Sequence, residues 1–269
     1  MNEKSTPHPL SGRAFYRRVD PSDGGRETVE AQPSTAGPWT PEAQHGGPPA
    51  ALLGRAVEGV AGGVVGRFTM ELHGPVPVGR LTTTAEVVRP GRSVSLVAAE
   101  LRDPARGRVV ASARAWVFPA GEDGPAQPAP PPHGPEDGEV RPRPVAWHGG
   151  YLDAVEWRWV KGSVEEPGPG VVWMRPPALI EGEPLSPLQR LLACVDSASG
   201  VSAALDVRRW TFLNTELTVH VLRPPVGEWV CLDAQTTLGP GSVGVATAEV
   251  LDGRGLVARS SQALLVARR

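Results

Sequence analysis

The feature that most constrains this chain is an internal repeat. Residues 68–75 are similar to residues 217–224, and residues 92–100 are similar to residues 241–249 at the same offset. A third match joins the short segments that begin at Val110 and Val257. Three matches in the same order indicate a duplicated unit; the alternative is chance similarity in a chain rich in Ala and Val. We therefore predict two related halves of about 120 residues each.

A segment rich in Pro and Gly separates the halves. Residues 119–144 contain almost no large apolar side chains, so they cannot bury enough surface to offset the entropy lost on ordering. We predict an N-terminal unit over 1–118, a partly extended linker over 119–145 and a C-terminal unit over 146–269.

Each half is predicted to contain an irregular segment, then one helix, then four strands. The first helix is expected over residues 45–60. The second is expected over residues 186–205, where Ser186 can cap the helix and Pro187 is tolerated in its first turn. The residues at the spacing of one buried face of this helix are Leu188, Leu191, Leu192 and Val195.

Short turns separate the predicted strands, so neighbouring strands run antiparallel. The strands are expected near 67–74, 80–89, 93–102 and 108–118, and near 212–222, 228–238, 242–251 and 256–267. A parallel pair would need a long crossover. The predicted fold class is therefore α+β, with one long helix lying on an antiparallel sheet in each half and the halves paired edge to edge.

Composition excludes several functional classes. Lys and Arg number 27 against 29 Asp and Glu, and a net charge of −2 does not suit a nucleic-acid binder that works through bulk charge. No apolar run of about 20 residues could span a membrane, and the N-terminus lacks the apolar core of a signal peptide. The cysteines, Cys194 and Cys231, are far apart, and no His/Cys cluster has the spacing of metal ligands. We expect a cytoplasmic protein with no metal or other cofactor.

Two polar residues interrupt otherwise apolar patterns. Asp196 lies four residues after Leu192, at the edge of the apolar helix face, where a carboxylate must be paired, hydrogen bonded or functional. Gln262 alternates with small and apolar residues in the last predicted strand. Each residue has two interpretations, a structural one in which neighbouring groups satisfy its polar atoms and a functional one.

Two further groups are candidates for contacting a ligand. His45, Gly46 and Gly47 open the first helix, and glycines there would let a substrate approach free N–H groups at the positive helix end. The alternative is a plain turn into a helix. Arg89 and Arg92 flank a turn and could meet phosphate groups, although solvated turn arginines are the simpler interpretation.

Several motifs in order resemble those of the acyl-CoA thioesterase II group of the thioesterase-like superfamily. They are residues 44–47, 192–196, 212–215, 222–224 with 228–229, and 257–262. The resemblance covers most of the chain outside the linker and the first dozen residues. It implies a double hotdog fold, hydrolysis of acyl-CoA thioesters, a role in fatty acid metabolism and a tendency to form homo-oligomers.

The resemblance also implies site residues. In this family an Asp on the second helix, a Thr on the next strand and a Gln on the last strand hold and activate a water. The Asp corresponds to Asp196 and the Gln to Gln262, but the motif count places Asn214 where the family has Thr, with Thr215 one residue later. Strand alternation instead turns Thr215 inward with Leu217, so both residues are candidates.

The two halves differ at these positions. Ala56 is the counterpart of Asp196, and Ala115 is the counterpart of Gln262. We therefore expect one site per chain, at the interface of the halves, with the polar groups supplied by the second half and a helix start by the first.

The main hypothesis is an acyl-CoA thioesterase in which Asp196 acts as general base or water anchor, while Gln262 and Asn214 or Thr215 orient the water. The expected partner is an acyl-CoA or acyl-carrier thioester. One alternative is a protein that binds such thioesters without cleaving them. Another is a hotdog hydratase or dehydratase, which is disfavoured because the second helix carries no Asp/His pair.

Overall fold

The computed structural model describes residues 14–23, 26–121, 133–143 and 147–269. Its N-terminal half consists of a hairpin, a helix and four further strands. In chain order these are β1 (Ala14–Asp23), β2 (Arg26–Ala31), α1 (Gly47–Val60), β3 (Val64–Leu72), β4 (Arg80–Arg89), β5 (Ser95–Asp103) and β6 (Arg108–Phe118).

The C-terminal half repeats this series with additions. Its elements are α2 (Gly150–Ala154), β7 (Glu156–Ser163), β8 (Glu166–Arg175), β9 (Ala178–Ile180), α3 (Pro187–Val195), α4 (Ala198–Val201), β10 (Trp210–Asn214), β11 (Glu216–Val221), β12 (Val230–Leu238), β13 (Val243–Asp252) and β14 (Gly255–Arg268). The hairpin β7–β8 corresponds to β1–β2, α3 corresponds to α1, and β11–β14 correspond to β3–β6.

One sheet contains all fourteen strands of the described residues. The order is β1-β2-β4-β5-β6-β3 in the first half and β7-β8-β12-β13-β14-β11 in the second, so the halves share one topology. They meet where β11 pairs with β3 in antiparallel orientation, while β9 extends the sheet beyond β1 as a parallel edge. The predicted α+β class and the edge-to-edge pairing of two repeats are confirmed.

A hairpin precedes each helix, where the sequence predicted irregular segments, so that prediction was wrong. Charged residues fill much of β1, and Pro167 and Pro169 interrupt β8, which hides the alternation that marks a strand. The prolines are tolerated because they lie outside the β8–β12 ladder, which begins at Gly170.

Part of the predicted linker packs beside β7. Residues Pro135–Asp137 form a short 3-10 helix, and the main chains of Glu139 and Trp159 exchange two hydrogen bonds. Residues 122–132 and 144–146 of this segment, like residues 1–13, lie outside the described residues. The unit boundaries therefore stay a prediction.

Glycines allow α1 and α3 to pack closely. A Cβ at Gly47 would overlap the carbonyl oxygen of Ala193, and a Cβ at Gly54 would overlap the side chain of Leu192. The start of α1, from the first half, is thereby held against the end of α3, from the second half.

Ser186 caps α3 as predicted. Its Oγ accepts a hydrogen bond from the Gln189 N–H at 3.1 Å and donates to Oε1 of Glu58 on α1 at 2.7 Å. The capping residue therefore also links the two helices.

The predicted second helix is interrupted. It ends as α3 at Val195 and resumes as α4 at Ala198. In an unbroken helix the N–H of Ser199 would donate to the Val195 carbonyl, but it donates instead to Oε1 of Gln262 at 3.2 Å. A side chain from β14 thus replaces a helical hydrogen bond. None of the helices in the described ranges is long and apolar enough to cross a membrane.

Both cysteines lie in the core as free thiols. Burial raises the pKa of Cys231 to about 12 and also raises the pKa of Cys194. Neither residue is a thiolate at neutral pH, so neither can serve as a nucleophile.

We expect Gly47→Ala to destabilise the protein by about 2 kcal/mol, because the new methyl group meets a backbone carbonyl that cannot rotate away. Gly59→Ala is the matched control on the same helix, since nothing lies within 4 Å of its Cβ position. Alanine there should instead stabilise the protein by about 0.5 kcal/mol through helix propensity. Urea unfolding of both variants measures the difference, and equal effects would contradict the close packing of α1 on α3.

Candidate active site

Asp196 is a buried carboxylate at the end of α3, with only 4% of the residue exposed. Its Oδ1 accepts hydrogen bonds from Nδ2 of Asn214 at 2.7 Å and from Nε2 of Gln262 at 3.0 Å. Its Oδ2 receives no hydrogen bond from the described residues. One carboxylate oxygen is therefore fixed, and the other is available to a ligand or water.

Gln262 also fixes the position of Asp196. It is fully buried on β14, and its Nε2 also donates to the main-chain carbonyl of Asp196 at 3.0 Å. Its Oε1 is occupied by the N–H of Ser199. The side-chain amide is thus committed to positioning Asp196 and the start of α4.

A bulge at Thr215 separates β10 from β11. The register with β14 shifts by one residue between the pair Asn214–Leu264 and the pair Thr218–Ser261. The inward positions therefore change from even numbers in β10 to odd numbers in β11. This shift explains why simple alternation could not decide between the two candidate residues.

The geometry separates the two candidates. Asn214 donates to Asp196, whereas the hydroxyl of Thr215 is exposed and donates to the carbonyl of Ala263 at 3.4 Å. Only Asn214 contacts the carboxylate, so it occupies the place that the motif count indicated.

His45 brings the first half to the site. Its Nδ1 lies 3.3 Å from Oδ2 of Asp196 and accepts a hydrogen bond from the Gly47 N–H at 3.0 Å. Burial lowers the pKa of His45, and the nearby charge of Asp196 opposes this shift only in part. The imidazole is therefore neutral at pH 7, and its contact with Asp196 is not an ion pair.

Tyr151 supports His45, and sequence reasoning missed it. The two rings stack with centroids 3.8 Å apart, and the Tyr151 hydroxyl donates to the Ala193 carbonyl at 2.7 Å and lies 3.0 Å from Oγ of Ser197. Burial raises the pKa of Tyr151, so its hydroxyl keeps its proton. Its place in the short helix α2 gave no periodic signal that could have identified it.

The start of α1 offers one free donor. The N–H of Gly47 is taken by His45, and the next two residues are Pro48 and Pro49, which have no N–H. The N–H of Gly46 has no acceptor among the described residues. A Cβ at Gly46 would lie 2.6 Å from Oδ2 of Asp196, so only glycine allows the carboxylate to approach this helix start.

A cavity of about 380 Å³ opens beside these groups. Five of the predicted site residues line it, namely His45, Gly46, Asp196, Asn214 and Thr215. The remaining wall is mostly apolar and includes Trp39, Leu72, Val76, Trp147, Leu152, Trp157, Trp159, Val164, Val201, Phe212, Leu213 and Leu265. Its size and lining suit an apolar acyl group.

Arg89 and Arg92 do not line the cavity. Arg89 donates to the Val94 carbonyl at 3.3 Å, and its guanidinium lies 5.6 Å from the ring centroid of Trp116. Arg92 is exposed in the same turn. The structure therefore does not bring these two arginines to Asp196.

Among the described residues, both amide side chains that contact Asp196 come from the second half. The counterpart position Ala115 is buried and pairs with Phe68 across β3 and β6, and Ala56 packs against the core. The described residues also contain no group of three His, Cys, Asp or Glu side chains that could hold a metal ion.

We expect acid to destabilise the protein in part through His45. The unfolded chain takes up a proton near the ordinary histidine pKa of 6.5, whereas the lowered pKa keeps His45 neutral in the folded protein. Stability should therefore fall as the pH drops through this range, by at most about 1.4 kcal/mol per pH unit from this group. Urea unfolding of wild type and His45→Gln between about pH 7.5 and 5.5 measures the effect.

The variant should lose less stability than wild type over that range. His220→Gln removes an exposed histidine from β11 and controls for the loss of a histidine as such. Equal slopes for wild type and His45→Gln would show that His45 takes up its proton as readily in the folded protein as in the unfolded chain.

Several solved structures share this fold. A conserved hot dog protein of unknown function from Alicyclobacillus acidocaldarius has a TM-score of 0.74 at 20% identity, covering 97% of this chain and 99% of that one. A putative thioesterase II from Thermobifida fusca has a TM-score of 0.74 at 21% identity, covering 98% and 99%. An acyl-CoA thioesterase II from Mycobacterium marinum has a TM-score of 0.68 at 16% identity, covering 93% and 96%. These likenesses confirm the predicted hotdog fold.

Family models match both halves in sequence. The model of the acyl-CoA thioesterase N-terminal domain matches residues 35–118, and the model of the acyl-CoA thioesterase C-terminal domain matches residues 125–266. No curated protein sequence matches the chain. The two domain models together span most of its length in the expected order, and the chain belongs to the acyl-CoA thioesterase family.

Proposed function

We propose that this protein hydrolyses acyl-CoA thioesters with Asp196 as the general base. The observation that carries the proposal is the unequal state of the two carboxylate oxygens. Amide donors from Asn214 and Gln262 hold Oδ1, while Oδ2 has no donor among the described residues and belongs to a side chain that lines the cavity. A carboxylate fixed in this way can accept a proton from a water placed beside Oδ2.

The reaction follows from the groups around this oxygen. Water gives a proton to Oδ2 of Asp196 as its oxygen attacks the thioester carbonyl. The N–H of Gly46, at the positive end of α1, is placed to stabilise the oxyanion that forms. When the C–S bond breaks, Asp196 returns the proton to the thiolate, which leaves a free acid and a thiol.

Asn214 orients the water in this proposal. Its Nδ2 is committed to Asp196, and its Oδ1 has no donor among the described residues. That oxygen can accept the second hydrogen of the water, so Asn serves where the family has Thr.

A second candidate is a hydratase-type proton transfer on an acyl thioester. The sequence disfavoured it because α3 carries no His, but the fold brings His45 from the first half to within 3.3 Å of Asp196. A neutral His beside a carboxylate is able to move a proton to or from a substrate carbon. Hydration of an enoyl-CoA, followed by the loss of absorbance of its conjugated double bond, distinguishes this reaction from thiol release.

We expect Asp196→Asn to lower thiol release from a panel of short, medium and long acyl-CoAs at least about 100-fold, because the amide cannot act as a base. The fold should remain, since the new Oδ1 can still accept from Asn214 and Gln262. The change also removes a buried charge, so unfolding should show stability equal to or above that of wild type.

Asp233→Asn is the matched control, because it makes the same change at an exposed position on β12. It should leave turnover at the wild-type level. Wild-type turnover in Asp196→Asn would remove Asp196 from the mechanism, and the absence of thiol release in wild type across the panel would count against hydrolysis itself.

We expect Asn214→Thr and Asn214→Val to separate the role of the hydrogen bond from that of shape. Both side chains have nearly the same volume, but only Thr can donate to Asp196. Asn214→Thr should keep most of the wild-type kcat, and Asn214→Val should lose about tenfold or more. The Thr215→Val change tests the other candidate, and a larger loss there than in Asn214→Val would reverse the assignment.

A further inference from the structure

Three arginines lie near one another in the chain fold at the Trp210 end of β10, and one of them contacts the cavity wall. Arg268 pairs with Trp210 across β14 and β10, and the N–H of Arg269 donates to the carbonyl of Arg209 at 3.1 Å. The guanidinium of Arg269 lies 5.1 Å from the ring centroid of Trp39, a residue of the cavity wall. We call Arg209, Arg268 and Arg269 the rim arginines.

Neither Arg268 nor Arg269 forms an ion pair with a carboxylate of the described residues. Asp206 forms an ion pair with Arg208 at 3.0 Å and also attracts the charge of Arg209. Arg268 and Arg269 are instead held over the faces of Trp210 and Trp39 at 5.2 and 5.1 Å. Stacking orients a guanidinium and leaves its N–H donors available. The stacked guanidiniums of Arg268 and Arg269 therefore present ordered positive charge that has no ion-pair partner in the described chain.

The rim lies at a defined distance from the reacting group. Asn214, which contacts Asp196, and Trp210, which pairs with Arg268, are the two ends of β10. Four residues of strand separate them, or ~13 Å. The pantetheine chain from a thioester sulfur to its first phosphorus has about thirteen bonds, which equals about four residues of extended backbone, or ~14 Å. The phosphate of a thioester at Asp196 would therefore reach the rim if its arm extended along β10.

We propose that the rim arginines bind the phosphate of the phosphopantetheine arm that carries the acyl group. This inference rests on the proposed function for the position of the thioester. Guanidinium groups suit phosphate because they donate paired hydrogen bonds in a fixed plane. The wall between the rim and Asp196 contains Phe212 and Trp39, which form an edge-on contact at 5.2 Å and would flank the pantetheine chain.

Binding of CoA and of pantetheine tests the proposal without any need for turnover. Both ligands fill the arm site, but only CoA carries phosphate. Tryptophan fluorescence titrations of the full chain should show that Arg268→Gln/Arg269→Gln raises the Kd for CoA at least about tenfold and changes the Kd for pantetheine less than about twofold. Arg268→Lys/Arg269→Lys keeps the charge and should recover part of the CoA affinity.

Arg89→Gln/Arg92→Gln is the matched control, because it also removes two exposed arginines from a strand end. It should leave the ratio of the two Kd values unchanged. An unchanged Kd for CoA in the rim variant, an equal loss for CoA and pantetheine, or a loss found only in the Arg89/Arg92 variant would each overturn the proposal. Urea unfolding of each variant confirms that the fold is intact.

Turnover then distinguishes the source of the phosphate and separates this proposal from the proposed function. The rim variant should lose kcat/KM at least about tenfold on octanoyl-CoA relative to octanoyl-pantetheine if the carrier is CoA. It should lose kcat/KM on an octanoyl-acyl carrier protein if the carrier is a protein. Wild type that releases no thiol but binds CoA through the rim would refute hydrolysis and leave the phosphate site standing.

Discussion

The burial of one carboxylate, that of Asp196, explains the irregular backbone around the candidate site. A charge with 4% of its residue exposed must find donors inside the protein, and Asp196 takes them from two strands, β10 and β14. Three local departures from regular structure lie at its contacts. The break between α3 and α4 admits Gln262, the bulge at Thr215 turns Asn214 inward, and the glycine at position 46 lets the first half reach Oδ2.

The regular part of the fold could be predicted from the sequence, and the irregular part could not. Turn residues and the internal repeat located α1, the start of α3 and the strands that follow each helix, because these features have a period. They did not reveal the order of the strands, since β3 and β11 pair with β6 and β14 and not with the next strand in sequence. The hairpins β1–β2 and β7–β8 escaped prediction because charge and proline hide their alternation. In the same way, Asp196 and Gln262 were found as polar exceptions to an apolar pattern, whereas Tyr151 acts through a tertiary contact that leaves no pattern in sequence.

The choice between Asn214 and Thr215 shows why local rules fail at a site. Alternation assumes one register, but the register with β14 differs on either side of Thr215. The motif count indicated Asn214 without that assumption, and Asn214 is the one of the two residues that contacts Asp196; its role stays a prediction. The rim arginines were missed for a related reason: Arg209 and Arg269 are sixty positions apart in sequence and meet only because β10 pairs with β14.

The two repeats share one topology but contribute different groups to the candidate site. The first supplies a helix start and a neutral imidazole, and the second supplies the carboxylate and its amides. Because β11 pairs with β3 and α1 lies against α3, a ligand in the cavity contacts both repeats at once. Its binding free energy therefore adds to the cohesion between the repeats as well as to the stability of either one. A ligand bound in the cavity therefore holds the two repeats together without a covalent bond. If the chain were cut between its repeats, the two pieces would have to reassemble before they could bind the ligand.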